Sequence, residues 1–87
     1  MYPAVVDVAA VEDFTLFVRF EDGETALLDM SPYLDFGVFC ALKDKQVFDQ
    51  VHVAFDTIEW PGGIDLDPEF IQNHCVPAKQ EHQPASQ

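Results

Sequence analysis

The densest group of side chains with potential chemistry lies near the end of this 87-residue sequence, around its single tryptophan, Trp60. Asp65 and Asp67 lie two positions apart, directly after a pair of glycines, and the acids Glu59 and Glu69 flank them. Four neighbouring carboxylates could gather a divalent cation, because Ca²⁺ and Mg²⁺ prefer oxygen ligands. The spacing does not match an EF-hand loop. This segment is therefore one candidate site for a metal ion or a small ligand.

The same residues also have a structural explanation. Asp67 precedes Pro68, which is the arrangement expected at the N-cap and first position of a helix. Glu69 would then lie near the positive end of the helix dipole. Asp65 can accept hydrogen bonds from backbone amides in the turn, and Trp60 can pack inward. The structural explanation is the simpler one, and the ligand- or metal-binding site is kept as the alternative.

The other nucleophiles and bases form no recognisable catalytic or metal-binding constellation. His52, His74 and His82 lack metal-ligand spacing, and His74 and Cys75 on one short helix would point about 100° apart. Cys40 lies in an apolar stretch, which favours a buried and unreactive thiol. We find no nucleophile elbow around a serine and no glycine-rich phosphate loop. The sequence therefore predicts no enzyme, no catalytic residue, no metal and no cofactor.

Acidity is the feature of the composition with the clearest functional meaning. Sixteen Asp and Glu residues oppose four Lys and Arg residues, which gives a formal net charge of −12 and an isoelectric point near 4.1. This charge excludes the usual electrostatic attraction to nucleic acid or to an anionic membrane, since both require a basic surface. Two interpretations stay open: charge that keeps a small protein soluble, or an acidic surface that binds a basic protein partner.

Under the second interpretation, the acids at turns and at the helix start would be exposed and would contact the partner. The candidate partner-binding residues are Glu21, Asp22, Glu24, Trp60, Asp65 and Asp67. Exposed sheet edges, or an aromatic face carrying Phe17, could supply the apolar part of an interface. Exposed edges also allow a homodimer.

The hydrophobic pattern predicts an α+β fold, with a mainly antiparallel sheet of about five strands and one or two short helices. The predicted strands cover residues 5–11, 14–20, 24–30, 51–55 and 58–60. Asp22-Gly23 predicts a hairpin between the second and third strands. A short helix is expected to begin after Asp67 and to end near Cys75.

Length and composition predict one domain over residues 1–76 and a disordered polar tail over residues 77–87. No apolar run approaches the length of a membrane span. The first residues show no signal-peptide pattern, and the two cysteines are too few for a disulfide framework. We therefore expect a cytoplasmic protein with reduced thiols.

The order of motifs over residues 3–75 resembles a bacterial family known as domain of unknown function 2442. The matching segments include Phe20-Glu21-Asp22-Gly23-Glu24 and the more specific run W-P-x-G-x-D-L-x-P from Trp60 to Pro68. The resemblance implies an α+β fold with no assigned enzymatic activity. Some relatives carry a helix-turn-helix DNA-binding domain after this module, a part with no counterpart in the printed sequence, so DNA binding is not carried over.

Other relatives are similar to products encoded beside a second small protein, of the family known as domain of unknown function 4160. That arrangement resembles a toxin–antitoxin pair in which this module is the antitoxin. Charge, the missing catalytic constellation and the resemblance together predict a non-enzymatic protein-interaction module, an acidic antitoxin-like partner of a small basic protein. The alternative is a domain that binds a small ligand or metal ion at the segment from Trp60 to Pro68.

Overall fold

The computed structural model describes residues 2–78, and these residues form seven strands, two α-helices and two 3₁₀ helices. The strands, in chain order, are β1 (Val5–Val11), β2 (Thr15–Phe20), β3 (Thr25–Asp29), β4 (His52–Ala54), β5 (Thr57–Trp60), β6 (Ile64–Asp65) and β7 (Val76–Pro77). The α-helices are α1 (Lys45–Phe48) and α2 (Pro68–His74), and the 3₁₀ helices span Ser31–Tyr33 and Gly37–Lys43. The strands form two antiparallel sheets, with the orders β1-β2-β3-β7 and β4-β5-β6.

Alternating side chains produce the buried face of the first sheet. On β2, Leu16, Val18 and Phe20 are all buried, as the two-residue period of a strand requires. The turn that follows places Gly23 at a φ of +91°, a conformation that glycine adopts without a steric penalty. The backbone N–H of Phe20 donates to the carbonyl oxygen of Glu24 across this turn, at 2.9 Å. The hairpin predicted from Asp-Gly is therefore present.

The second sheet contributes the largest buried side chains. Ile58 and Trp60 of β5 are fully buried, and the ring of Trp60 packs beside that of Phe48 from α1. Burying an apolar side chain of this size stabilises the folded state by about 1.5–3 kcal/mol. Because one continuous cluster of buried side chains joins both sheets, they fold around a shared core.

The α+β class and the antiparallel pairing are confirmed. The strands are divided between a four-stranded and a three-stranded sheet, where a single sheet of about five strands was expected. The additional strands, β6 and β7, have only two residues each. Such short segments carry no hydrophobic alternation that a sequence pattern could reveal.

The fold extends two residues beyond the predicted boundary at residue 76. Pro77 pairs with Ala26 of β3, and Ala78 is buried with 5% of its surface exposed. The remainder of the predicted disordered tail, residues 79–87, lies outside the described residues. Within residues 2–78, no helix combines the length and the apolar character needed to cross a membrane.

Candidate functional site

Trp60, one of the predicted partner-binding residues, lies entirely inside the core. Its side chain has no exposed surface, and its indole N–H donates to the backbone carbonyl of Phe48 at 2.9 Å. A side chain without exposed surface offers nothing to a partner or a ligand in this folded state. The structure therefore corrects the assignment of Trp60 to a binding surface and gives it a core role.

The acids that follow Trp60 are exposed, and they play different parts. The carboxylate of Asp67 accepts a hydrogen bond from the backbone N–H of Glu69 at 3.0 Å, so Asp67 is the N-cap of α2. Asp65 lies opposite Glu59 in the pairing of β5 with β6. In the part of the chain that the structure describes, no group of three or more His, Cys, Asp or Glu side chains could hold a metal ion. The geometry of this segment thus gives the metal-binding alternative no support.

The hairpin acids Glu21, Asp22 and Glu24 are all exposed at the turn between β2 and β3. A carboxylate oxygen of Glu21 accepts from the backbone N–H of Ala4 at 3.1 Å. Asp22 accepts from the backbone N–H of Glu24 at 3.0 Å, which fixes the turn from within. The bonds between Glu21 and Ala4 hold the acidic tip of the hairpin against the N-terminal segment.

An exposed aromatic residue lies close to this tip, in the two-residue turn between β4 and β5. Phe55 and Asp56 form the turn, since the flanking residues Ala54 and Thr57 are paired. Both turn residues have a positive φ, +52° at Phe55 and +69° at Asp56, which is typical of a type I′ turn. The carbonyl of Asp56 accepts from the backbone N–H of Val5 at 3.0 Å, so the turn is fixed beside the start of β1.

Phe55 differs from the other phenylalanine that adopts a left-handed conformation. Phe14, with a φ of +56°, packs its ring edge-on against Phe48 at a centroid distance of 5.2 Å. Packing of this kind offsets the cost of its backbone conformation. The side chain of Phe55 is 94% exposed, and no such packing compensates for its conformation. Fold stability therefore does not explain an aromatic residue at this position.

A shallow cavity of about 530 Å³ brings these features together at one end of the molecule. Its lining residues, here called the Phe55 surface, are Tyr2, Pro3, Ala4, Glu21, Phe55, Asp56 and Pro68. A neighbouring cleft of about 290 Å³ shares Pro3 and includes Asp22 and Glu24. The two adjacent cavities thus bring the three hairpin acids close to Pro68, the first residue of α2, which follows Asp67. Asp65 lines neither cavity.

The distribution of positive charge leaves the Phe55 surface acidic. In residues 2–78 the cations are Arg19, Lys43 and Lys45. Each forms an ion pair, with Asp7, Asp35 and Asp49 respectively. None of the three cations lines the Phe55 surface, while Glu21 and Asp56 do. Among the described residues, this end of the molecule therefore presents carboxylates and aromatic rings.

The histidines have structural partners. His52 lies opposite Glu59, with 3.3 Å between Nε2 and a carboxylate oxygen, and its Nδ1 lies 3.1 Å from the carbonyl of Gln50. The bond to that carbonyl, followed by the carboxylate, raises the pKa of His52. His74 lies 3.0 Å from the hydroxyl of Tyr33 and stacks near Phe70. These contacts position β4 and α2, and His82 lies outside the described residues.

The two cysteines differ in their exposure to solvent. Cys40 is exposed, so the expectation of a buried thiol is wrong; in the 3₁₀ helix, its neighbour Leu42 takes the inward position. Cys75 is partly buried at the end of α2, and burial raises the pKa of its thiol. Neither cysteine appears in an ion pair or hydrogen bond with a general base within residues 2–78.

Phe55 and Tyr2 were not among the residues singled out from the sequence. The alternation Val51, Val53, Phe55 placed Phe55 on a strand face, and the turn was expected at residues 56–57. The turn begins one residue earlier, which moves Phe55 out of the strand and into solvent. Phenylalanine is not a typical turn residue, so the sequence gives no signal that the turn begins at position 55.

The two-sheet α+β fold and the W-P-x-G-x-D-L-x-P segment, whose Trp60, Ile64 and Leu66 are buried, can now be compared with known proteins. A family described as "Protein of unknown function (DUF2442)" matches residues 5–77, which extend from β1 to β7. The chain therefore belongs to the DUF2442 family. Comparison with curated proteins and with solved structures gave no match.

Proposed function

We propose that this protein is a non-enzymatic interaction module that binds a basic protein partner through the Phe55 surface. The observation that supports this proposal most strongly is Phe55 itself. A left-handed conformation costs a residue with a side chain roughly 1–2 kcal/mol, and Phe55 recovers none of it by packing. Backbone strain of this kind is concentrated at functional sites.

The chemistry of the surface favours a basic partner over a neutral one. Phe55 and the half-exposed Tyr2 provide aromatic faces, and Glu21 and Asp56 provide carboxylates beside them. A lysine or arginine of the partner can stack on an aromatic face, an interaction worth about 0.5–1 kcal/mol at exposed sites. The same cation can reach a carboxylate at the rim, and aromatic anchors commonly carry much of the energy of an interface.

The partner that charge and family favour is a small basic protein, bound in an antitoxin-like pair in the bacterial cytoplasm. The acidic module would cover a basic surface of that protein. Complementary charges would mainly accelerate association and set specificity, and the complex should weaken as the salt concentration rises. Membership in DUF2442 adds no activity to this proposal, since the family description assigns none.

An affinity purification with matched variants tests this function. Tagged wild-type protein, Phe55→Asn and Phe36→Asn are expressed in the native host, and the retained proteins are quantified after low-salt and high-salt washes. Phe36 is a suitable control, because it is also exposed but lies outside the Phe55 surface. We expect a basic protein to be retained by wild type and Phe36→Asn at low salt, and to be lost from Phe55→Asn or at high salt.

Two results would contradict the proposal. One is equal retention of the same protein by wild type and Phe55→Asn. The other is the absence of any basic protein from the low-salt wild-type sample.

A further inference from the structure

Strand β1 has one edge that β2 does not use. The N–H of Val8 donates to the side chain of Asp7 at 3.0 Å, so it does not belong to the ladder with β2. In an antiparallel pair, successive residues point their backbone groups alternately toward and away from the neighbouring strand. Val8 and Ala10 therefore point away from β2, while Ala9, which lies between them, faces Phe17.

The bonds of β2 are consistent with this assignment. The N–H of Phe20 donates to the carbonyl of Glu24 on the β3 side. Every second residue of β2, counted from Phe20, therefore directs its backbone N–H and C=O toward β3. The residues between them, including Phe17 and Arg19, direct their backbone groups toward β1, where they lie opposite Ala9 and Asp7. The outward groups of β1 are thus fixed by two independent sets of bonds.

The second sheet packs beside β1, but it forms a backbone hydrogen bond with β1 only at one end of this edge. The N–H of Val5 donates to the carbonyl of Asp56, the sole backbone bond between β1 and the β4–β6 sheet in the described part of the chain. Farther along, the edge borders a groove of about 540 Å³, lined by Val8–Glu12, Lys45, Asp49 and Val51. Clefts that bind ligands measure about 300–1,000 Å³. The backbone groups of Ala10 and the carbonyl of Val8 therefore open toward a groove of useful size.

We propose that this groove, the β1 groove, binds an extended basic peptide segment of another protein, which adds a strand to the edge of β1. Strand addition supplies backbone hydrogen bonds for affinity and side-chain contacts for specificity. Ala10 can donate one bond and accept another, and the carbonyl of Val8 can accept a third. The proposal concerns a different surface from the Phe55 surface and does not depend on it.

Charge identifies the occupant as basic. The groove contains the carboxylates of Glu12 and Asp49 and one cation, Lys45, which is already paired with Asp49 at 2.8 Å. Asp13 lies in the small cavity next to it. A peptide with lysine or arginine side chains would balance the excess negative charge of the groove.

A second copy of this chain is the less suitable occupant. Its own β1 carries one acid, Asp7, and no base, so it offers nothing to the carboxylates of the groove. Each copy also carries a formal charge of −12, which opposes self-association. Because strand residues rise about 3.3 Å each, roughly five extended residues match the stretch from Val8 to Glu12.

A peptide titration followed by NMR tests the proposal. The probe is acetyl-Lys-Val-Lys-Val-Lys-amide, added to the ¹⁵N-labelled full chain at low salt. We expect the largest amide shifts at residues 8–12 and at Val51, and a loss of these shifts at high salt. Acetyl-Lys-Pro-Lys-Pro-Lys-amide has the same charge, but its two prolines lack backbone N–H groups and fix φ at about −65°, away from the extended strand conformation, so it should bind much more weakly.

Two variants separate backbone pairing from charge. Ala10→Pro removes the outward N–H without removing a bond to β2, as proline is tolerated on edge strands when its nitrogen faces outward. Loss of one net hydrogen bond should weaken binding by about two- to tenfold. Glu12→Lys changes an exposed side chain, leaves the backbone intact and should also weaken binding. Phe36→Asn changes an exposed residue that lines neither proposed surface and should leave this titration unchanged.

Specific outcomes would overturn the proposal. Equal binding of the proline peptide would show charge attraction without strand addition. Shifts centred outside residues 8–12 would place the peptide elsewhere. Shifts of these same amides with protein concentration alone would make a second copy the occupant. If Ala10→Pro does not fold, unchanged binding by Glu12→Lys would still contradict a basic occupant.

Discussion

Phe55 and Phe14 share a left-handed backbone conformation and differ in what surrounds their rings. The ring of Phe14 is packed against Phe48, whereas that of Phe55 is in solvent. Two positions in the same fold thus carry a similar backbone cost, and only Phe14 packs against the core. The backbone strain at Phe55 is not offset by packing, and this is the reason for assigning that residue a role in binding.

Replacing Phe55 by asparagine should therefore stabilise the protein. Asparagine tolerates the left-handed region and is common in type I′ turns. We expect Phe55→Asn to raise the free energy of unfolding by about 1 kcal/mol, or Tm by about 4–8 °C for a domain of this size. Thermal and urea denaturation measure both quantities. A decrease in stability would show that the exposed ring contributes to the fold.

Two controls accompany this variant. Phe36→Asn should not increase stability, because Phe36 has an extended conformation with a φ of −113°. Phe14→Asn should lower stability, because it removes the contact with Phe48.

The pH dependence of stability should carry the signature of His52. Its pKa is raised by the carbonyl of Gln50 and then by Glu59, so the folded state holds the proton more tightly than the unfolded state. This contribution is complete below the ordinary histidine pKa of about 6.5 and is lost as the pH rises through the folded-state pKa. We expect the stability advantage of wild type over His52→Gln to be complete below the ordinary histidine pKa of about 6.5 and to shrink as the pH rises above it through the raised folded-state pKa.

Urea denaturation at several pH values measures this advantage, and an NMR titration of the imidazole gives the folded-state pKa directly. Glu59→Gln should lower that pKa toward the ordinary value. An advantage that grows with pH would contradict the assignment.

At the scale of elements, helix α2 depends on a single cap. Asp67 accepts from the backbone N–H of Glu69, and loss of an N-cap side chain typically costs about 0.5–2 kcal/mol. We expect Asp67→Ala to lower the free energy of unfolding by about 1 kcal/mol. Asp65→Ala is the matched control and should change it by less than about 0.5 kcal/mol, as an exposed residue outside the cap.

Chemical denaturation followed by Trp60 fluorescence measures both variants, since Trp60 is the single tryptophan and is fully buried. Equal losses for Asp65→Ala and Asp67→Ala would contradict the cap and would favour a joint role for the two acids.

The elements that could be predicted from sequence are those defined by local signals. Asp-Gly specified the β2–β3 hairpin, alternation specified the buried face of β2, and Asp67-Pro68 specified the start of α2. β6 and β7 could not be predicted, because a two-residue strand carries no alternation of its own and is defined only by its pairing, β6 with the neighbouring β5 and β7 with the distant β3. The division into two sheets could not be predicted either, because no local signal shows that β4 and β5 form no ladder with β1, β2 or β3.

For the whole molecule, the sequence gives the net charge, and the structure shows which acidic side chains lie together on the surface. Composition alone indicated an acidic protein, and the hairpin acids were identified from their turn. Their proximity to Phe55, Tyr2 and Pro68 depends on tertiary contacts, such as the bonds of Val5 to Asp56 and of Glu21 to Ala4. Trp60 was misassigned, because its burial is decided by the second sheet packing on the first.

The arrangement of the molecule places its two proposed binding surfaces at different positions along β1. The Phe55 surface adjoins the beginning of this strand, and the β1 groove runs along its second half. In the two proposals, a basic partner contacts an acidic and aromatic surface at one end of β1 and pairs with the strand edge toward the other. Variants at Phe55 and at Glu12 affect these surfaces separately.

Photo-crosslinking from position 55 tests the central claim most directly. A benzoyl-phenylalanine placed at Phe55 keeps an aromatic side chain in the turn, and the same residue placed at Phe36 reports on a different exposed position. After irradiation in the native host, mass spectrometry identifies the covalent adducts. We predict a basic protein crosslinked from position 55 and not from position 36, in an adduct that diminishes at high salt. No adduct at position 55, or the same adducts from both positions, would contradict the proposal that the Phe55 surface binds a basic partner.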